Sequence, residues 1–144
     1  MLGRLARWLR VLGWDTSWDA HADDESLAEQ ADREDRVLLT CDRRLPEERR
    51  PTRWLVLPPG DPLEQLRLVV EHFDLDRERT LFQRCSECNA PVEEVAEEAV
   101  ADRVPARRLR ERVRFTRCPR CGRVYWEGSH TRRMRRAIEQ ALRR

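Results

Sequence analysis

Lysine is absent: all 29 basic residues of this 144-residue chain are arginine. A genome rich in G and C gives that outcome as readily as any function, so arginine abundance alone assigns no nucleic-acid ligand. Aromatic residues are scarce as well, at 6% against 39% charged. That balance argues against a large apolar core and makes a metal staple on a small lobe physically sensible. No run of about 18 apolar residues occurs, which excludes a helical membrane span. No apolar signal segment opens the chain, so the expected setting is a reducing cytoplasm in which disulfides do not persist. The length allows one medium domain or two small ones.

The charge that is present is unevenly placed. Residues 1–80 carry 13 Arg against 18 Asp and Glu, a balance of −5, whereas residues 81–144 carry 16 against 9, a balance of +7. The basic part starts at Arg103, after the acidic stretch Glu93–Asp102. An acidic lobe joined to a basic one, the second suited to a polyanion, is the expected organisation.

Four cysteines form the strongest local pattern. Cys85-Ser-Glu-Cys88 and Cys118-Pro-Arg-Cys121 are two Cys-x-x-Cys knuckles separated by 29 residues. That spacing lets four thiolates converge tetrahedrally on one Zn²⁺. Asn89 and Gly122 follow the knuckles and tolerate the positive φ that such turns need. Two structural disulfides and a redox dithiol compete with this reading. The reducing setting disfavours the first, and a thioredoxin-like motif would come once, beside a βαβ pattern. Residues 92–117 are then an excursion that leaves the metal and returns to it. With four cysteines in hand, His130 is assigned to surface or RNA contact rather than coordination.

Along the chain, Leu2, Leu5, Leu9 and Leu12 recur at helical spacing, with Arg4, Arg7 and Arg10 on the other side and Gly13 as terminator. Solvation explains that arginine face; phosphate contact is the sharper alternative. Trp14–Trp18 is a short strand candidate with alternating aromatics. Asp23 and Asp24 open a helix through about Asp32. Capping accounts for one of the two acids and leaves the other available. Residues 36–41 form a continuous apolar run, expected to be a buried strand, with Asp42 at its carboxyl end. In open α/β sheets, ligands bind just beyond such ends. Cys41 is expected to be a buried apolar thiol. Residues 53–57 predict a second strand. Asp61, Pro62 and Glu64 fit an N-terminal capping pattern for a helix over 63–73, although Asp61 also sits beyond a strand end. Residues 74–80 link the lobes, residues 92–100 are an acidic, short helical candidate, and strands are expected at 113–117 and 124–126. Gly128-Ser129 caps a last helix whose thin apolar stripe is Met134, Ile138 and Leu142.

Several blocks, in order, resemble a known family: Met1-Leu-Gly-Arg-Leu-Ala-Arg-Trp-Leu-Arg-Val-Leu-Gly-Trp-Asp15, Asp23-Asp24, Leu39-Thr40-x-Asp42, Asp61-Pro62-Leu-Glu-Gln-Leu66, Arg84-Cys85 and Tyr125-Trp126-Glu-Gly-Ser-His130. The chain resembles the Mut-seven C-terminal ribonuclease domain family, and the likeness spans nearly the full length. The resemblance implies an α/β, PIN-like parallel sheet with flanking helices over 1–80 and a zinc ribbon with a basic C-terminal helix over 81–144. It further implies a ribonuclease dependent on Mg²⁺ or Mn²⁺, the ion held by Asp24 or Asp23, Asp42 and Asp61. Arg4, Arg7, Arg43 and Arg44 would hold the RNA backbone. The family pattern opens with an apolar strand ending in Asp just ahead of the first helix. That strand is missing before Met1 in the sequence given, and a start placed too far downstream is the expectation; the same gap leaves open a chain that binds RNA without cutting it. Two other functions stay open beside the nuclease: a non-catalytic RNA-binding or regulatory module with an incomplete site, and a zinc-ribbon partner for transcription or translation machinery.

Overall fold

The computed structural model describes residues 2–143. Met1, on which the expectation about the start of the chain rests, lies outside the described residues. The architecture is mixed α/β, with a two-stranded parallel sheet and a separate three-stranded antiparallel sheet.

Helix α1, Gly3–Val11, buries Leu5 and Leu9 at the predicted spacing, and Val11 besides. It ends where expected: Gly13 takes φ 87°, and the Trp14 amide bonds back to the Leu9 carbonyl at 2.9 Å, closing the turn as a C-terminal glycine motif does. Residues 14–19 then run without regular structure. The strand expected at Trp14–Trp18 is therefore absent, because a strand needs a ladder. The amides here find other partners, Trp14 bonding to Leu9 and Thr16 to the Asn89 side chain. Helix α2, Asp24–Arg33, buries Ala28 and Ala31 and is capped by Asp23.

Strand β1, Leu38–Thr40, pairs in parallel with β2, Trp54–Val56, in the register Leu38↔Trp54 and Thr40↔Val56. A parallel pair needs a crossover of about a dozen residues, usually carrying a helix. Residues 41–53 provide it with α3, Arg44–Arg49, which ends at Arg50 in the left-handed region, φ 47°. Pro46 near its start is tolerated because the first turn needs no intrahelical donor. Helix α4, Pro62–His72, follows β2, with Asp61 as N-cap and Pro62 at its first position, as predicted.

One cluster organises this half: Leu5, Leu9 and Leu12 near α1, Leu57 after β2, and Leu66, Val69 and Val70 from α4. The last helix, α6, Ser129–Arg143, contributes Ile138 and Leu142 to the same cluster. The apolar stripe predicted for α6 is thus its contact with α4 and the cluster α4 shares with α1. Its arginines, Arg132, Arg133, Arg135 and Arg136, are all exposed.

The second sheet is built from the excursion between the knuckles. Strand β3, Glu93–Val95, pairs antiparallel with β4, Phe115–Arg117, and β4 with β5, Val124–Trp126. Residues 92–100 thus supply a strand and then a single 3-10 turn, Glu97–Ala99, where a short helix was expected; the ladder to β4 outcompetes local helix propensity. A short helix, α5, Ala106–Leu109, lies in the arginine-dense stretch. Val100, Val104 and Phe115 form a small core under this sheet. Among the described residues, no helix is long and apolar enough to cross a membrane.

Candidate functional site

The two knuckles fold alike. The Asn89 amide bonds to the Cys85 carbonyl at 3.0 Å and the Cys85 amide to the Ala90 carbonyl at 2.8 Å. The Gly122 amide bonds to the Cys118 carbonyl and the Cys118 amide to the Arg123 carbonyl, both at 2.9 Å. Asn89 and Gly122 take φ 72° and 78°, as the turn chemistry predicts. The four sulfur atoms lie within 4.8 Å of one another, with Cys88 to Cys118 at 3.2 Å and Cys85 to Cys121 at 3.6 Å. A Zn–S length of about 2.3 Å puts tetrahedral sulfurs roughly 3.8 Å apart. None of the cysteines is in a disulfide. The donor set fits a tetrahedral ion such as Zn²⁺.

Electrostatics split the cluster: Cys85 and Cys118 are drawn toward thiolate, whereas burial pushes Cys88 up and Cys121 is raised as well. Burial pushes the Cys85 thiol up, but the Tyr125 hydroxyl at 3.0 Å and the amides of Cys88 and Glu87 outweigh it and bring Cys85 down to about 6. Cys118 is also lowered, its burial outweighed by the Cys121 and Arg120 amides and the Cys88 side chain. Tyr125 braces the first knuckle further by accepting the Ser86 amide at 3.2 Å. Partners of this kind orient metal ligands.

Arg10 departs from its expected place on the solvated face of α1. It is only 6% exposed and donates to the Thr16 carbonyl at 2.8 Å and to the Ser86 and Glu87 carbonyls at 3.1 and 2.9 Å. Burial lowers the Arg10 pKa, while the Cys85 and Cys88 thiols oppose that shift. Arg7, one turn earlier, pairs with Glu87 at 2.7 Å. Asn89 completes the link: its Oδ1 accepts the Thr16 amide at 2.9 Å and its Nδ2 donates to Asp15 at 2.6 Å. Arg36 grips the same Asp15 carboxylate at 3.0 and 3.1 Å, holding it below the usual carboxylate range. Helical spacing located the arginines but could not show that the knuckle arrives to bury one of them.

Beside β1 lies a cavity of about 800 Å³, lined by Leu5 and Leu9, the segment 14–20, Leu38–Asp42 and Asp24 among others. Asp24 and Asp42 thus face one cavity. Among the described residues the Asp24 side chain makes no hydrogen bond or ion pair. Asp42 accepts the Arg44 amide at 2.8 Å through Oδ1, a turn-forming bond that leads into α3, and its own amide bonds to Thr40 Oγ1. Asp23 caps α2 by accepting the Ser26 amide at 2.8 Å, and that bond lowers its pKa. Asp61 caps α4 by accepting the Leu63 amide at 3.3 Å and does not line the cavity. Cys41, half-buried rather than fully buried, sits in the cavity wall 3.8 Å from Gln65 Nε2. Among the described residues, the cysteines are the one group of three or more potential ligands that converges within 4.8 Å.

Arg4, Arg7, Arg43, Arg44 and His130 are all exposed. Arg43 and Arg44 follow Asp42 directly, and His130 lies in the first turn of α6. Trp18, 44% exposed, also lines the cavity. Its ring comes within 2.8 Å of where a Cβ on Gly3 would stand, so only glycine lets it lie against the start of α1.

The family model described as Mut7-C RNAse domain matches residues 1–138 of the chain. No curated protein and no solved structure matches it.

Proposed function

Because the chain belongs to the Mut7-C RNAse domain family, we propose that it hydrolyses RNA phosphodiester bonds with the help of Mg²⁺ or Mn²⁺. Such an ion neutralises the scissile phosphate and lowers the pKa of an attacking water. A hard cation keeps several waters and needs few carboxylates, and Asp24 and Asp42, which line one cavity, fit it. Asp24 is a better ligand than Asp23, whose carboxylate caps a helix. Asp61 is the weaker third member, since it caps α4. A PIN-like sheet is the fold this reading assigns to the first half, supported by the parallel β1–β2 pair with Asp42 beyond its carboxyl end. Arg43 and Arg44 would hold the RNA backbone near the cleft, and the zinc ribbon with the arginines of α6 would add grip that weakens as salt rises.

The shared cavity of Asp24 and Asp42 carries this reading. It is tested by Mn²⁺-dependent cleavage of RNA, on the chain as given and on one extended by the in-frame upstream residues. Asp42→Asn should cut the rate by roughly 100-fold or more, as removal of one transition-state contact does, with RNA binding retained. A second reading, a non-catalytic RNA-binding or regulatory module, draws on the lack of a compact carboxylate trio among the described residues. It stands if neither version of the chain ever cleaves RNA.

A further inference from the structure

We propose that Asn89 and Arg10 are positioning residues through which the four-cysteine centre sets the shape of the cleft that holds Asp24 and Asp42. The two side chains grip the same residue from opposite sides: Asn89 accepts the Thr16 amide, and Arg10 donates to the Thr16 carbonyl. Both are fixed by the first knuckle. Asn89 takes the left-handed turn that closes the Cys85–Cys88 loop, and Arg10 holds the carbonyls of Ser86 and Glu87 inside it. Residues 14–19 have no regular structure of their own, so these contacts largely define their path.

That segment is a wall of the cleft. Trp14 through Ala20 line it on one side, Leu38–Asp42 on another. The same network reaches the second wall, because Asp15, held by Asn89, binds Arg36 two residues before β1. An amide side chain is suited to the junction: it accepts from Thr16 and donates to Asp15 at once. When the four sulfurs hold a metal, the knuckle is rigid and so is the Thr16 clamp. When they do not, the knuckle loses its cross-link, and the clamp loses its anchor. Metal loading of the ribbon therefore regulates the cleft, a consequence that rests on the cleft being the working site; the coupling itself does not.

Backbone NMR relaxation on the full chain separates the two. Three samples are compared: zinc-loaded, zinc-stripped by a chelator, and zinc-loaded Asn89→Gly. Glycine accepts φ 72°, so the substitution deletes the side-chain link while keeping the turn. The Ser17–Asp19 amides, which Asn89 does not touch, should show order parameters of about 0.8 in the zinc-loaded parent and fall to roughly 0.6 or below in both altered samples. The amides of α4 should keep their order parameters in the variant, and its zinc content should be unchanged. Ser17–Asp19 order parameters in the zinc-loaded variant equal to those of the parent overturn the proposal. So does a stripped chain whose residues 17–19 stay as ordered as the parent's. If stripping also frees α4, the variant alone decides. If the glycine variant loses zinc, Asn89→Asp decides instead: its carboxylate repels Asp15 and should loosen Ser17–Asp19, and adding Asp15→Asn should restore them. Failure of that rescue overturns the proposal too. No readout depends on RNA cleavage, so a failure here and a failure of the nuclease reading are distinguishable.

Discussion

The cysteine centre and the acidic cleft differ in how their ligands are brought together. The cysteines come as two local pairs, each positioned by its own turn, and one antiparallel sheet joins the pairs. Asp24 and Asp42 come from a helix start and a strand end, and each position already asks an acid to cap or turn the chain. Asp23 and Asp61 cap helices, and Asp42 gives one oxygen to the Arg44 amide. The cysteine centre can thus be completed by two local loops, whereas the acidic cleft depends on how α2, β1 and the 14–19 segment pack.

Removing the metal should have the largest effect. Cys118→Ser, at a fully buried ligand, should abolish stoichiometric zinc content. It should also unfold the second sheet, since a structural zinc contributes on the order of 10 kcal/mol to folding small metal lobes. Metal analysis and circular dichroism check this. The opposite perturbation is Leu66→Ala, fully buried between α1 and α4. A loss of about 2–5 kcal/mol is expected in denaturant unfolding, with zinc content unchanged. If both substitutions strip zinc equally, the contrast between a self-contained ribbon and a packed cleft fails.

Smaller effects sharpen the comparison. Replacing Arg132, Arg133 and Arg136 by Ala should weaken RNA binding. The salt slope should fall by about 0.7 for each phosphate left without its arginine, measured by fluorescence anisotropy across a salt series. The smallest effect concerns acid. The Asp15 pKa is depressed by Arg36, so its contribution to stability is present above the carboxylate's unfolded value and is lost as pH falls through the lower folded one. Asp15→Asn should therefore flatten the acid limb of stability below about pH 4. The half-exposed pair should be worth under about 1 kcal/mol.

The chain's own pattern revealed what is local. The 3.6-residue spacing of leucines marked α1, Asp61-Pro62 marked the start of α4, and the knuckle turns were readable from Asn89 and Gly122. Long-range partners were not readable. Trp14–Trp18 alternates like a strand yet has no neighbour to pair with. Arg10 looks like its solvated neighbours until the knuckle buries it. Helix α3 is six residues with an early proline, too short to show a period. Tyr125 looked like one more strand aromatic, and its hydroxyl contact with Cys85 spans 40 residues. The acids Asp24 and Asp42 were legible as candidates, but their sharing one cavity is a tertiary fact.

The proposed function requires one chain to hold two chemically distinct metal sites, sulfur for a soft ion and oxygen for a hard one. Its most direct test is Mn²⁺ titration of the zinc-loaded chain followed by electron paramagnetic resonance, beside the Asp24→Asn, Asp42→Asn double variant. The parent is expected to bind Mn²⁺ without releasing zinc, and the double variant to lose Mn²⁺ binding while its zinc content stays the same. Equal Mn²⁺ uptake by both proteins, or Mn²⁺ that enters only by displacing zinc, would contradict it.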